Sequence, residues 1–251
     1  LDRALRGDTR LTLSGQRDGT AFALAGLQVE NRALNADLQG RIDPGAALLD
    51  GRFDLPDLAA VRPGFRGGVS GTVGLREEGT NRHLTLDAET RNLAFGAEAA
   101  DRMLAGRHVV QLRALATPDT VLLERFAVDG PALSARVSGQ LRDGLPELTV
   151  DARLADLAYL APGISGAVSV SGTARDTGQN YAMDFAANGP AGLSVRANGS
   201  LSKSLQADLD ISGATDIALI NPRIEPRSVQ GPARFDLALR GPLQLSSLSG
   251  S

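Results

Sequence analysis

Residues 193–211 read LSVRANGSLSKSLQADLDI, and their reading decides the fold. Leu193, Val195 and Ala197 alternate with Ser194, Arg196 and Asn198, and further on Leu205, Ala207, Leu209 and Ile211 alternate with Gln206, Asp208 and Asp210. A period of two puts every second side chain of an extended chain on one side, so the stretch predicts two amphipathic strands and a turn. The same alternation runs outward in both directions. It recurs at Leu11 and Leu13, at Leu34, Ala36 and Leu38, at Val69, Val73 and Leu75, at Leu84, Leu86 and Ala88, and at Val110, Leu112 and Ala114. It continues at Leu133, Ala135 and Val137, at Leu148, Val150, Ala152 and Leu154, and at Phe235, Leu237 and Leu239. Most of the intervening positions carry Arg, Asp, Gln, Ser, Thr or Asn, which predicts antiparallel strands with one apolar and one solvated face.

Turn signals separate these runs. Arg17-Asp18-Gly19, Asp43-Pro44-Gly45, Asp143-Gly144, Asn188-Gly189-Pro190 and Arg240-Gly241-Pro242 supply the positive or fixed φ that hairpins need. A second phrase, Asp-(Leu/Ile)-Ala-x-x-x-Pro, interrupts the alternation at Asp57, Asp156 and Asp216 and ends at Pro63, Pro162 and Pro222. Its Asp suits the cap of a short helical turn and its Pro ends that turn, so the phrases read as corners between ladder segments. The one place for a longer helix is Ala97 to Leu104, two turns at most.

The ladder repeats. Residues 1–70 set against residues 100–169 without gaps share 22 identities, among them Asp2/Asp101, Leu13/Leu112, Val29/Val128, Leu34/Leu133 and Gly40/Gly139. Leu34, Leu133 and Leu193 each precede the corner aspartate by 23 residues, which marks a third copy. That copy lacks a counterpart of roughly residues 85–123. The chain is therefore expected to be one continuous repeat region over residues 1–251, with units of about 1–99, 100–192 and a partial 193–251. Leu237 to Leu245 would begin a further strand pair. Self-similarity at a fixed period implies modules that stack and cover one another's apolar faces.

Composition fits stacked thin layers better than a thick core: 42% of residues are hydrophobic but only 4% aromatic, and tryptophan is absent. The formal net charge of -3, with basic residues scattered singly, gives no footing for nucleic acid. With no cysteine, disulfides, thiolate catalysis and Cys-based metal sites are excluded. No apolar run approaches the length of a membrane-spanning helix, and the first residues lack a signal-peptide pattern.

The predicted fold class is all-β: an elongated, repetitive antiparallel hairpin ladder. At about 4.8 Å per strand, roughly 20 strands in one ladder would extend about 90 to 100 Å. A sheet with one apolar face must hide it by curling, by pairing with a second sheet, or by holding a ligand. The residues expected on that face are Leu11, Leu13, Leu34, Leu38, Val73, Leu75, Leu84, Leu86, Val110, Leu112, Leu133, Val137, Val150, Leu154, Met183, Phe185, Leu193, Val195, Leu209, Ile211, Phe235 and Leu237. Taken alone they fit a dry core between two sheets as well as a ligand-bearing wall.

Three features together resemble the TamB-type proteins, the inner-membrane component of the translocation and assembly module, within the AsmA-like superfamily. They are the Asp-Arg-x-Leu-x-Gly phrase at residues 2–7 and 101–106, the Asp-Leu-Ala-x-x-x-Pro-Gly corners, and strand phrases such as Leu237-Ala-Leu-Arg-Gly-Pro-Leu243. The resemblance covers essentially the whole chain. It implies a sheet folded into a taco-like trough with an apolar interior, in a periplasmic protein anchored in the bacterial inner membrane. It further implies phospholipid acyl chains as the cargo of the residues named above, transport toward the outer membrane, and support of outer-membrane protein assembly with a barrel partner of TamA type. The family's membrane anchor and its barrel-contacting end have no matching residues here, so the chain would be a middle section.

Chemistry-bearing motifs are sparse. No Gly-x-Ser-x-Gly, His-Glu-x-x-His, P-loop or dinucleotide glycine phrase occurs, so no enzyme, cofactor or metal site is expected. His83 and His108, flanked by Arg82 and Arg107, read as solvated strand residues. Glu77-Glu78 before Gly79 reads as a hairpin tip whose two carboxylates point to opposite faces. Asn198-Gly199-Ser200 matches a glycosylation acceptor that a bacterial chain would not use. Two other architectures share the alternation. A closed-core β-solenoid stalk or adhesin has shorter repeats, often with calcium-binding glycine motifs that are missing here. An outer-membrane barrel needs aromatic girdles that a 4% aromatic content does not provide.

Overall fold

A computed structural model describes residues 8–43, 45–142, 145–242 and 247–251. The opening phrase at residues 2–7, Pro44, the Asp143-Gly144 turn and the continuation over 243–246 lie outside the described residues. The chain divides into two compact units, Leu1–Ala132 and Leu133–Ser251.

The first unit is a meander of eight antiparallel strands: β1 (Arg10–Asp18), β2 (Ala21–Glu30), β3 (Asn35–Asp43), β4 (Ala46–Leu55), β5 (Arg66–Glu78), β6 (Asn81–Ala94), β7 (Arg107–Ala116) and β8 (Thr120–Asp129). Helix α1 (Glu98–Met103) lies between β6 and β7. The second unit repeats the plan with β9 (Leu133–Arg142), β10 (Leu145–Leu154), β11 (Val168–Asp176), β12 (Asn180–Asn188), β13 (Ser194–Ser202), β14 (Gln206–Asp216), β15 (Pro232–Pro242) and β16 (Leu248–Gly250). Among its described residues is one short α-helix, α2 (Asn221–Ile224), which is absent from the sequence reading. The fold is all-β and antiparallel, as the alternation predicts. Within each unit the described strands pair only with their chain neighbours, so neither unit closes into a barrel, and neither is strongly curled as the taco-like expectation has it.

In a meander every second connection falls on the same rim. One rim of each unit carries tight hairpins: β1–β2 and β5–β6 turn through Gly19 and Gly79, at φ +61° and +63°, a region that disfavours any residue with a Cβ. The other rim carries the longer corners. There the Asp57, Asp156 and Asp216 carboxylates accept the backbone N–H of Ala59, Ala158 and Ala218 at 3.0, 3.0 and 2.8 Å, capping one 3-10 turn each (Leu58–Ala60, Leu157–Tyr159 and Ile217–Ile220). Asp156 also accepts from Gly166 N, and Asp216 from Gly231 N, so each ties its corner back to the start of the next strand. On the same rim Asp101 of α1 accepts from Phe95 N and Gly96 N, which fixes the helix to the end of β6.

Two other expectations are overturned. Arg240-Gly241-Pro242 is no turn but the end of β15, where Gly241 faces Ala207 and Pro242 faces Gln206. Proline is tolerated there because a strand terminus need not donate to the ladder. His108 is not solvated; it is 1% exposed. Its parity is that of Val110 and Leu112, it faces Thr90 across the ladder, and its Nε2 lies 3.1 Å from the carbonyl oxygen of Met103 in α1. Gly130 closes over the ring so tightly that a Cβ there would overlap it. His83 does stand on the polar face, opposite Leu115.

The hydrogen bonds from Ala158 N and then Gly166 N hold the Asp156 carboxyl below its ordinary pKa. A pKa lowered by folding stabilises the fold above the unfolded value, and that contribution is lost as pH falls through the folded value. The advantage of the wild-type chain over Asp156→Asn in urea denaturation should therefore be largest near about pH 7 and shrink toward about pH 3. An advantage unchanged across that range would contradict the assignment.

Candidate functional site

Residues facing each other in an antiparallel pair share a face, so the register traces the apolar surface across a sheet. In the first unit one row runs Leu13, Leu27, Leu38, Gly51, Val73, Leu86, Leu112, Phe126, one residue from each of eight strands. The next row toward the corners is Leu11, Val29, Ala36, Phe53, Gly71, Ala88, Val110, Val128, and the next toward the hairpins is Gly15, Leu24, Gly40, Leu49, Leu75, Leu84, Ala114, Leu123. None of these three rows contains a polar side chain. The second unit has its own rows: Val137, Val150, Gly172, Phe185, Ala197, Ile211, Leu237, flanked by Ala135, Ala152, Val170, Ala187, Val195, Gly213, Phe235 and by Gly139, Leu148, Ala174, Met183, Gly199, Leu209, Leu239.

The residues expected on the apolar face fall out as follows. Leu11, Leu13, Leu38, Val73, Leu75, Leu84, Leu86, Val110 and Leu112 share one face of the first sheet. Val137, Val150, Met183, Phe185, Val195, Leu209, Ile211, Phe235 and Leu237 share one face of the second, and Leu133 and Leu154 pair with each other on it. Leu34 and Leu193 stand outside the strands: Leu34 N is bound to Asn31 Oδ1 in the β2–β3 turn, and Leu193 closes the 3-10 turn before β13.

Sequence reasoning named no strand at β2, β4, β8 or β11, and two of these, β2 and β8, are irregular. Both contribute four apolar residues to the face, Phe22, Leu24, Leu27 and Val29 in β2 and Val121, Leu123, Phe126 and Val128 in β8. Each strand contains a bulge, so its apolar residues are spaced two, three and two apart, which breaks strict alternation. The two bulges sit opposite Ser14/Gly15 and Arg113/Ala114, at the same place in the 99-residue repeat, and a search for the 2-3-2 spacing would have found them.

Small residues are set among the large ones on this face. Gly51 lies between Leu38 and Val73, and Gly71 between Phe53 and Ala88. A Cβ at Gly71 would meet the carbonyl oxygen of Asp87 at 2.3 Å and Ala88 Cα at 2.7 Å. Part of the apolar face is open to solvent: Leu11 and Leu13 are 66% and 64% exposed, Ile42 43% and Leu84 37%, whereas Val73, Leu86 and Leu112 are half-buried and Leu24 and Ala88 are buried.

The opposite face is a ladder of polar contacts. Arg113 donates to both carboxylate oxygens of Asp87 and to the carbonyl oxygens of Leu86 and Leu112. Arg240 donates to one carboxylate oxygen of Asp210 and to the carbonyl oxygen of Leu209, and the hydrogen bond to Asp210 holds its guanidinium above its ordinary pKa. A shallow hollow on this side of the first unit is lined mostly by polar side chains, among them Asp37, Gln39, Asp50, Arg52, Thr72 and Thr85. Among the described residues no group of three or more His, Asp or Glu could hold a metal ion, and no helix is long and apolar enough to cross a membrane.

Gly71→Ala forces backbone to move in two strands and should cost about 2 kcal/mol in chemical denaturation, in the range of overpacked sites. A loss below about 0.5 kcal/mol, the level of an ordinary surface substitution, would show that the rows are looser than described.

A scan against protein-family models and searches of curated proteins and of solved structures found no match to this chain.

Proposed function

We propose that this chain is a wall segment of a hydrophobic trough that carries phospholipids between the inner and outer membranes of a bacterium and supports outer-membrane protein assembly. The observation that carries the proposal is the unbroken apolar face of the first unit, three rows deep and eight strands long, with leucines open to solvent. Bare apolar rows of this extent call for a covering, because large contiguous apolar patches on soluble proteins mark interaction surfaces. An acyl chain matches them in kind. Each buried methylene is worth about 0.8 kcal/mol, so a chain of about 14 to 16 carbons gains on the order of 10 kcal/mol from a dry wall. Leu, Val, Ala and Gly provide that wall without directional bonds, so no single position traps the lipid.

In this reading the open sheet of each unit curls around its cargo as a taco-like trough, as the resemblance to TamB-type proteins implies. The protein is then periplasmic, anchored in the inner membrane and linked to a TamA-type barrel through parts beyond this chain. The competing reading is a closed, lipid-free stalk in which a second sheet covers the same rows.

Leu86 and Leu112 are direct cross-strand partners in the central row, which makes them the pair to alter. The chain purified without detergent from a bacterial host should carry phospholipid detectable by mass spectrometry after solvent extraction. Leu86→Asp with Leu112→Asp should lower that phospholipid at least several-fold while the circular dichroism of the sheet is retained. A lipid-free, monodisperse wild-type protein would favour the closed stalk.

A further inference from the structure

The apolar face does not end in the same way at its two margins. Toward the corners of the first unit the next row is Leu55, Val69, Thr90 and His108, without a carboxylate or guanidinium, and past a bulge Arg66 faces Ala94 at the ends of β5 and β6. Toward the hairpins it ends at an ion pair. Glu77 of β5 has the parity of Val73 and Leu75, faces Arg82 of β6, and accepts from Arg82 Nε at 3.1 Å. The pair is flanked in register by Ala47 and Ala116, two small side chains that leave it open. The acid sits low, 23% exposed, and the base stands out, 65% exposed.

The second unit has a counterpart. Asp176 lies 99 residues after Glu77, at the hairpin end of β11, beyond Ala174 and Gly172 on the apolar face. Its carboxylate is 5% exposed, accepts from Gly178 N at 2.7 Å, and pairs with Lys203 Nζ at 3.2 Å. Lys203 reaches it from the β13–β14 turn and is 51% exposed. The acid is repeated in the sequence, whereas the base is Arg82 in one unit and Lys203 in the other, arriving from different turns.

A carboxylate sunk at the edge of an apolar face is costly to desolvate, and a threonine would end the face more cheaply. What the acid does is hold a cation at the margin. An ammonium has three N–H donors and a guanidinium five, and the described carboxylate contact takes one from each. The donors left over stand where the apolar rows stop.

We propose that the hairpin-side margin of each unit binds the phosphodiester of a phospholipid, Arg82 holding a phosphate in the first and Lys203 in the second while the acyl chains lie on the adjoining rows of the same unit. The inference rests on the trough reading above and adds a direction to it: headgroups on the hairpin rim, tails toward the corners. The match is one of charge and of layout. Charge-assisted bonds from a base to a phosphate oxygen are the stronger kind, and an amphiphile carries its charge at one end of its apolar part, as this face does.

The test compares two ligands with the same fluorescent acyl chains, a phosphatidylglycerol and an uncharged diacylglycerol, titrated into the whole chain. Arg82→Gln with Lys203→Gln should weaken the phospholipid about tenfold, the loss of a charge-assisted contact, and leave the diacylglycerol within about twofold. Arg82→Lys should retain most of the binding. Unchanged phospholipid affinity in the double variant overturns the headgroup rim and leaves the apolar trough standing. So does a loss that appears instead with Arg66→Gln and Arg91→Gln near the corner rim. Equal displacement of the phospholipid by inorganic phosphate alone would mark a free-phosphate site and also overturn it. Failure of both ligands to bind the wild-type chain defeats the trough itself.

Discussion

Register is the constraint on which the rest of this structure depends. In a strand the two faces differ by one residue, so a slip of one between any two neighbours would put leucines where arginines belong for every strand beyond it. The molecule keeps its apolar rows aligned over eight consecutive strands in the first unit, and it does so through two bulges. At Ser14/Gly15 and at Arg113/Ala114 the ladder absorbs an extra residue, and on either side of each bulge the large apolar side chains return to the same face. The bulges, placed at one position of the repeat, preserve the face rather than interrupt it.

The second constraint is thickness. A sheet with no aromatic-rich core to grip must fit its strands together by shape, and here it does so by setting glycine or alanine opposite leucine, valine or phenylalanine. Gly51 against Leu38 and Val73, and Gly172 against Phe185, are instances in which a Cβ would crowd its neighbours. The opposite face contributes hydrogen-bonded ladders such as Asp87–Arg113 and Asp210–Arg240, which lock neighbouring strands without calling for a covering layer. Strand pairing and polar bonding thus hold the sheet, and the apolar face is left over. That surplus is what a ligand can use.

Much of this was legible in the sequence, for physical reasons that differ from place to place. Where alternation is unbroken, as in Leu84-x-Leu86 and Leu209-x-Ile211, parity alone places the side chains correctly. The capping aspartates were legible because an Asp two residues before an N–H that needs an acceptor acts locally. The bulged strands β2 and β8 were not, since a single inserted residue defeats a period-two template. Nor was the burial of His108, which depends on α1 and Gly130 meeting over it, a tertiary event with no local mark. Glu77 shows another case: it reads as part of a hairpin tip, yet the alternation Val73-x-Leu75-x-Glu77 already sets it on the face of those two residues, as the register has it.

The central claim is that the face carrying Val73 is dry only when lipid covers it, while the face carrying Thr72 is always wet. The chain has no cysteine, so a single one can be introduced at Val73 or at Thr72 and labelled with a nitroxide. Collision rates with oxygen and with a water-soluble nickel chelate then read the surroundings of each label, with and without bound phospholipid. The account predicts that the label at Val73 passes from water-accessible to lipid-accessible when phospholipid is bound, and that the label at Thr72 does not change. A label at Val73 that is already dry without lipid, or that stays wet with it, would contradict the account.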